Sequence, residues 1–118
     1  MTTDDTRRVA RQYFDSWTTR QGPDALRPIM DDAFRFQAGE MVIEGREAFF
    51  EGGGWPDGAT TRMVAEAYDG ETAMQMYEAV NGSASVLIAD HLTVRDGRIT
   101  SAEVVCDGAA FGAFMSAG

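Results

Sequence analysis

Near the start of the chain apolar residues recur four apart. Val9, Tyr13 and Trp17 share one helical face while Arg7, Arg8, Arg11 and Gln12 fill much of the remaining surface, which predicts an amphipathic helix over 5–20. Gly22-Pro23 ends it. Asp24 is a fitting N-cap for a short second helix that turns Leu26, Ile29 and Met30 inward, and Pro28 implies that its turn is distorted or very early. Short strands are expected over 33–37 and 41–43, around a turn at Gly39, with a third short helix over 46–51.

The run Gly52-Gly53-Gly54-Trp55-Pro56-Asp57-Gly58 reads as a long irregular loop. After it the period changes to two. Strands are expected over 61–68, 72–80, 83–95 and 98–105, separated by Asp69-Gly70, Asn81-Gly82 and Asp96-Gly97, dipeptides that tolerate the positive φ of tight hairpin turns. The second half is thus an antiparallel meander. Asp107 caps a last helix carrying Ala110, Phe111, Phe114 and Met115. Helices first and a sheet after them give an α+β arrangement with helices on one sheet face, in a single domain over 1–118. Runs such as Ser-Ala-Ser-Val-Leu-Ile-Ala are apolar on both parities, so the second face also needs cover, which a homodimer would supply.

Charge removes some partners. Lys+Arg 10 against Asp+Glu 19 leaves a formal charge of -9, the wrong sign for a phosphate backbone or an anionic membrane surface. One cysteine, Cys106, excludes an intramolecular disulfide framework and a multi-cysteine zinc site. One histidine, His91, and scattered carboxylates give no metal-ligand spacing, and Gly52-Gly53-Gly54 lacks the Gly-Lys-Ser/Thr of a phosphate loop, so neither metal nor cofactor is expected. The polar, charged start is unlike a signal peptide, and no run approaches the ~18 apolar residues of a bilayer span. A cytoplasmic protein is expected.

Four segments in order carry a family resemblance: Tyr13-Phe14-Asp15-Ser16-Trp17, Met30-Asp31-Asp32-Ala33-Phe34-Arg35-Phe36, Ile43-Glu44-Gly45-Arg46-Glu47-Ala48-Phe49, and Asp90-His91-Leu92-Thr93-Val94-Arg95-Asp96-Gly97-Arg98-Ile99 leading to Cys106-Asp107. Together they resemble the SnoaL-like and ketosteroid-isomerase-like proteins of the nuclear-transport-factor-2-like superfamily. The resemblance implies a cone in which a strongly curved, mixed but mainly antiparallel sheet wraps the N-terminal helices around an apolar pocket, and implies a frequent homodimer. Because that fold hosts isomerases, polyketide cyclases, dehydratases, epoxide hydrolases and noncatalytic proteins, it does not choose the reaction.

Residue matching narrows the choice. In steroid isomerases a protonated Asp and a Tyr form an oxyanion hole while a second carboxylate moves the proton. The resemblance places Asp90 on the oxyanion-hole Asp and Tyr13 approximately on the Tyr. The proton-transferring Asp falls on Gln37, which cannot act as a base. A late-strand Asp of the limonene-epoxide-hydrolase-like branch falls on Val104, and Asp107 matches a carboxylate before the final helix whose plainer role is the helix cap.

Two sheet faces compete for the chemistry. A strict two-residue Asn81-Gly82 hairpin sets Val80 opposite Ser83 and Met76 opposite Leu87, grouping Met74, Met76 and Glu78 with Leu87, Ala89 and His91, and Asp90 with Gln75 and Tyr77. Asp90 and His91, being adjacent, cannot line one pocket without a bulge. The candidate catalytic residues are Asp90 and Tyr13 for oxyanion stabilisation and His91 or Glu78 for proton transfer. The candidate pocket is Trp17, Phe34, Phe36, Gln37, Trp55, Met63, Met74, Met76 and Val104, with Trp55 placed to gate an apolar ligand. Cys106 reads as an inert small hydrophobe. Two functions stand: cofactor-free isomerisation, cyclisation or dehydration of a small apolar carbonyl compound, or noncatalytic ligand binding or dimerisation by an accessory protein.

Overall fold

The computed structural model describes residues 2–52 and 55–117; Gly53 and Gly54 of the glycine-rich loop lie outside the described residues. Helix α1 (Thr3–Thr18) begins two residues before the expected position because Thr2 and Asp5 form a capping box, each side chain accepting from the other's backbone N–H. Its buried face carries Thr6, Val9, Ala10, Tyr13, Phe14 and Ser16. Gly22, at φ +86, turns the chain into α2 (Pro23–Leu26). Pro28 then sits in a 3-10 turn over Arg27–Ile29, and Met30, expected in that helix, is the first residue of β1 (Met30–Ala38). The chain continues through β2 (Met41–Glu44), α3 (Arg46–Glu51), β3 (Thr60–Asp69), β4 (Thr72–Asn81), β5 (Ala84–Arg95), β6 (Arg98–Cys106) and α4 (Gly108–Ser116).

The class is α+β with one mixed sheet in the order β2-β1-β6-β5-β4-β3. β3 to β6 form the antiparallel meander, β1 runs parallel to β6, and β2 folds back antiparallel on β1. The strongly curved cone is corrected by this arrangement. The sheet is open, neither strongly curled nor closed, and β2 and β3 are its two edges. Closing a sheet requires its edge strands to share a ladder, and the order places these two at opposite ends.

The β4–β5 hairpin turns one residue later than expected. Asn81 pairs with Ala84 across a Gly82-Ser83 turn, with Gly82 at φ +62. Asn81 stays in the strand because its buried amide is engaged: Nδ2 donates to the carbonyls of Phe114 (2.8 Å) and Ala117 (2.6 Å), tying the hairpin to α4. The pairing consequently moves by two, Met76 facing Ala89 instead of Leu87. A shift of two preserves the parity of every side chain.

One sheet face therefore carries Ala73, Gln75, Tyr77 and Ala79 of β4 beside Val86, Ile88, Asp90, Leu92 and Val94 of β5, all buried. Two apolar clusters build on it, one around Val9, Tyr13, Phe34 and Leu92, the other around Phe14, Tyr77, Ile88 and Phe114. The opposite face is uncovered, with Met74, Met76, Leu87 and Val105 exposed, Val105 to 73%. No helix among the described residues is long and apolar enough to cross a membrane.

Candidate functional site

Between the two apolar clusters lies a cavity of about 450 Å³. Of the expected residues, Tyr13, Trp17, Phe36, Trp55, Asp90 and Val104 line it. The spacing of α1 brings Tyr13 and Trp17 to its helix-side wall, and alternation along β5 brings Asp90 to the sheet side together with Ile88. Aromatic rings frame the space: Trp17 meets Trp55 edge-on at 4.4 Å and Tyr77 at 5.5 Å, and Trp55 packs at 4.8 Å from Phe114. Trp55, expected to gate the pocket, is packed between Trp17 and Phe114. Its segment is tied to the end of α1 by the Arg20–Asp57 ion pair.

Other expected pocket residues are placed elsewhere. Phe34 is fully buried in the core against Phe49, at 5.1 Å between rings. Gln37 accepts a hydrogen bond from Arg35 at 2.9 Å, and Met63 packs against the Phe14–Phe114 cluster. Met74 and Met76 lie on the uncovered face, as strand alternation requires once Gln75 and Tyr77 are inside. Glu78 stands 3.6 Å from Arg62, and His91 Nδ1 stands 3.1 Å from Glu103, neither residue lining the cavity. Asp90 and Tyr13 are thus brought to one cavity, while His91 and Glu78 are not.

Asp90 is 2% exposed, and its Oδ2 accepts from the Tyr77 hydroxyl at 3.2 Å. Its Oδ1 is buried with no hydrogen-bond partner among the described residues. Burial disfavours the carboxylate, lifting its pKa from 3.8 to about 7 against the opposing pull of the Tyr77 hydrogen bond. Tyr13 and Tyr77 are both held well above the usual phenol range, chiefly by burial and then by the nearby Asp90. Burial also pushes the Cys106 thiol up, keeping it protonated and consistent with its packing role. The site therefore joins one carboxyl able to hold or release a proton near neutrality to two neutral phenols, in apolar surroundings.

Tyr77, which strand parity sets on the face of Asp90, is a site residue outside the expected candidates. Arg20, Phe49, Phe50 and Phe111 also line the cavity, and no periodicity pointed to them because they arrive from separate elements. Asp107 acts as the N-cap of α4, its carboxylate accepting from the Ala110 N–H at 2.8 Å. No group of three or more His, Cys, Asp or Glu among the described residues is arranged to hold a metal ion.

No family model matches the sequence. No curated protein matches it either. Solved structures do match. A protein from Jannaschia sp. CCS1, provisionally named a SnoaL-like polyketide cyclase, superposes with a TM-score of 0.81 at 18% identity, over 98% of this chain and 94% of that one. A Kribbella flavida protein, provisionally named a ketosteroid isomerase, superposes with a TM-score of 0.79 at 21% identity, over 89% and 79%. An LEH-like epoxide hydrolase from M. tuberculosis gives 0.74 at 16%, over 96% and 86%. At these identities the likeness speaks for the fold. The chain has the fold shared by NTF2-like, SnoaL-like and ketosteroid-isomerase-like proteins.

Proposed function

We propose that the cavity binds a small, mainly apolar carbonyl compound and that Asp90 moves a proton on it without a cofactor. The observation that carries this reading is a single buried carboxyl, Asp90, set in an apolar aromatic cavity with one oxygen unengaged. A general acid/base works best when its pKa lies near the operating pH, and burial puts Asp90 at about 7. As carboxylate, Asp90 takes a proton from the carbon next to the carbonyl. The C–H electron pair becomes part of the enolate, whose oxygen gains the negative charge, and the Tyr13 hydroxyl donates to that oxygen. Where the substrate carries a β,γ double bond the enolate is a dienolate, and the protonated Asp90 returns the proton to its γ carbon, giving isomerisation. Where it carries a β-hydroxyl, the enolate pair expels that hydroxyl as it takes the proton, giving dehydration. Tyr77 keeps the carboxyl oriented throughout.

A noncatalytic carrier is the second reading, favoured by the placement of Glu78 and His91 outside the cavity. In either case the uncovered face around Met76, Leu87 and Val105 supports a homodimer. The test uses the two tryptophans of the wall as reporters. A panel of hydrophobic cyclic ketones should change their fluorescence saturably, and wild-type protein should exchange the ketones' α-hydrogens with deuterated solvent while Asp90→Asn binds without exchanging. Binding without exchange in the wild type leaves the carrier. No saturable binding by any member of the panel removes both.

A further inference from the structure

Asp90 is not the only residue here with a stranded oxygen. Gln75, directly opposite it on β4, is 1% exposed and its Oε1 also has no hydrogen-bond partner among the described residues. Directly opposed residues hold their Cβ atoms about 5 Å apart on the same face, so two buried, unpartnered acceptors belong to neighbouring side chains on one sheet face. Acceptor against acceptor is unfavourable in a low-dielectric interior, unless one of them carries a proton.

The other end of Gln75 explains why the amide does not simply turn round. Its Nε2 donates to the Tyr68 hydroxyl at 3.2 Å, and that hydroxyl donates to Glu66 Oε1 at 2.8 Å. Glu66 is held ionised by a two-pronged pairing with Arg11, at 3.0 and 2.7 Å. A hydroxyl has one proton to give, and an ionised carboxylate is a stronger acceptor than an amide oxygen. Tyr68 therefore spends its proton on Glu66 and offers only a lone pair to Gln75, which must answer with its NH₂. The ion pair at the surface fixes the direction of every bond in the chain.

We propose that Gln75 is a positioning residue for Asp90: the chain Arg11–Glu66–Tyr68–Gln75 holds the amide with Oε1 towards the carboxyl, where it accepts from Oδ1 of the neutral form of Asp90 in the ligand-free protein, and the carboxylate that acts as base is the form that has given up this bond. A hydrogen bond made only by the neutral form favours that form. The other titratable groups facing Asp90 are Tyr13 from α1, Tyr77 from β4 and Cys106 from β6, all kept neutral by burial. Arg20, on the cavity wall beyond α1, is paired with Asp57. α4 brings apolar rings, Phe111 and Phe114. Tyr77, donating to Oδ2, favours the carboxylate, and Gln75 is the neighbour whose orientation favours the acid. The inference deepens the acid/base reading of Asp90 and takes its functional meaning from it.

The test is a pH titration of the aspartate side-chain carboxyls by carbon NMR on ligand-free protein, with the Asp90 signal assigned by its loss in Asp90→Asn. Glu66→Leu removes the acceptor that commands the Tyr68 proton. Tyr68→Phe removes the lone pair that holds the Gln75 NH₂. Either change frees the amide to turn its NH₂ to Asp90, and the acid dissociation constant of Asp90 should rise about tenfold, a shift of one pKa unit. A role for Tyr68 in packing alone would leave the Glu66→Leu titration where the wild type has it. An unchanged or higher midpoint in either variant, with the near-UV circular dichroism of the native fold, overturns the proposal. No ligand enters the measurement, so a failure of ketones to bind, which would sink the proposed function, leaves this result standing.

Discussion

Replacing Asp90 by Asn should remove one downward slope from the dependence of stability on pH. In the folded protein the Asp90 carboxyl titrates at about 7, raised from 3.8 by burial; in the unfolded chain it returns to the ordinary value. Between pH ~4 and ~7 the folded state keeps a proton that the unfolded state has lost, so the unfolding free energy falls as pH rises, by ~1.4 kcal/mol per unit. Stability from this group is fully present below pH ~4, declines through the interval, and is gone above pH ~7. Across about three units the loss amounts to about 4 kcal/mol, a large share of the ~5–15 kcal/mol typical of a domain. Asn has the same shape and no charge, and its amide oxygen still accepts from Tyr77. The assay is urea unfolding of both proteins at intervals from pH 4 to pH 8. Exposed carboxylates common to the two chains cancel in the difference. The variant should gain on the wild type by about 4 kcal/mol between the ends of the range. Parallel stability curves would refute the reasoning, because they would mean that Asp90 binds its proton no more tightly folded than unfolded.

Two further outcomes test the packing and the uncovered face. Phe114→Ala empties a fully buried position whose ring meets Trp55 and Phe111, and should cost ~3–5 kcal/mol by equilibrium unfolding. A cost under ~1 kcal/mol would show that α4 is not seated as described. Leu87→Asp puts a charge into the middle of the exposed apolar face and should halve the mass found by sedimentation equilibrium if that face joins two copies. An unchanged dimer mass would move the interface elsewhere, and a wild-type monomer would remove it.

The sequence by itself settled what depends on local periodicity. The four-residue spacing of Val9, Tyr13 and Trp17 made one helical face, and all three point inward. Alternation along the two central strands separated Asp90 from His91, and that separation survived the displaced turn because a slip of two residues leaves parity untouched. Gly97 at φ +79 beside Asp96 at φ +52 closes the last hairpin where the dipeptide predicted it, between Arg95 and Arg98.

Only the tertiary structure decided what depends on residues far apart in the chain. Asn81 moved the β4–β5 turn because its amide is taken by the end of α4, which no local rule anticipates. The open sheet follows from β2 and β3 standing at opposite ends of the strand order, a property of pairing and not of any strand's own sequence. Tyr77 became the partner of Asp90, and Met74 and Met76 were turned to the uncovered face, once the choice of buried face had been made by α1 and α4 packing against it. Which oxygen of Asp90 is left over is set by the Tyr77 hydroxyl, and the amide of Gln75 is tied to a hydrogen-bond chain that begins at Arg11 on α1, 64 positions before Gln75 in the chain. Hydrophobic patterning fixes which side a residue faces; the polar partners it meets there depend on elements brought together only when the chain has folded.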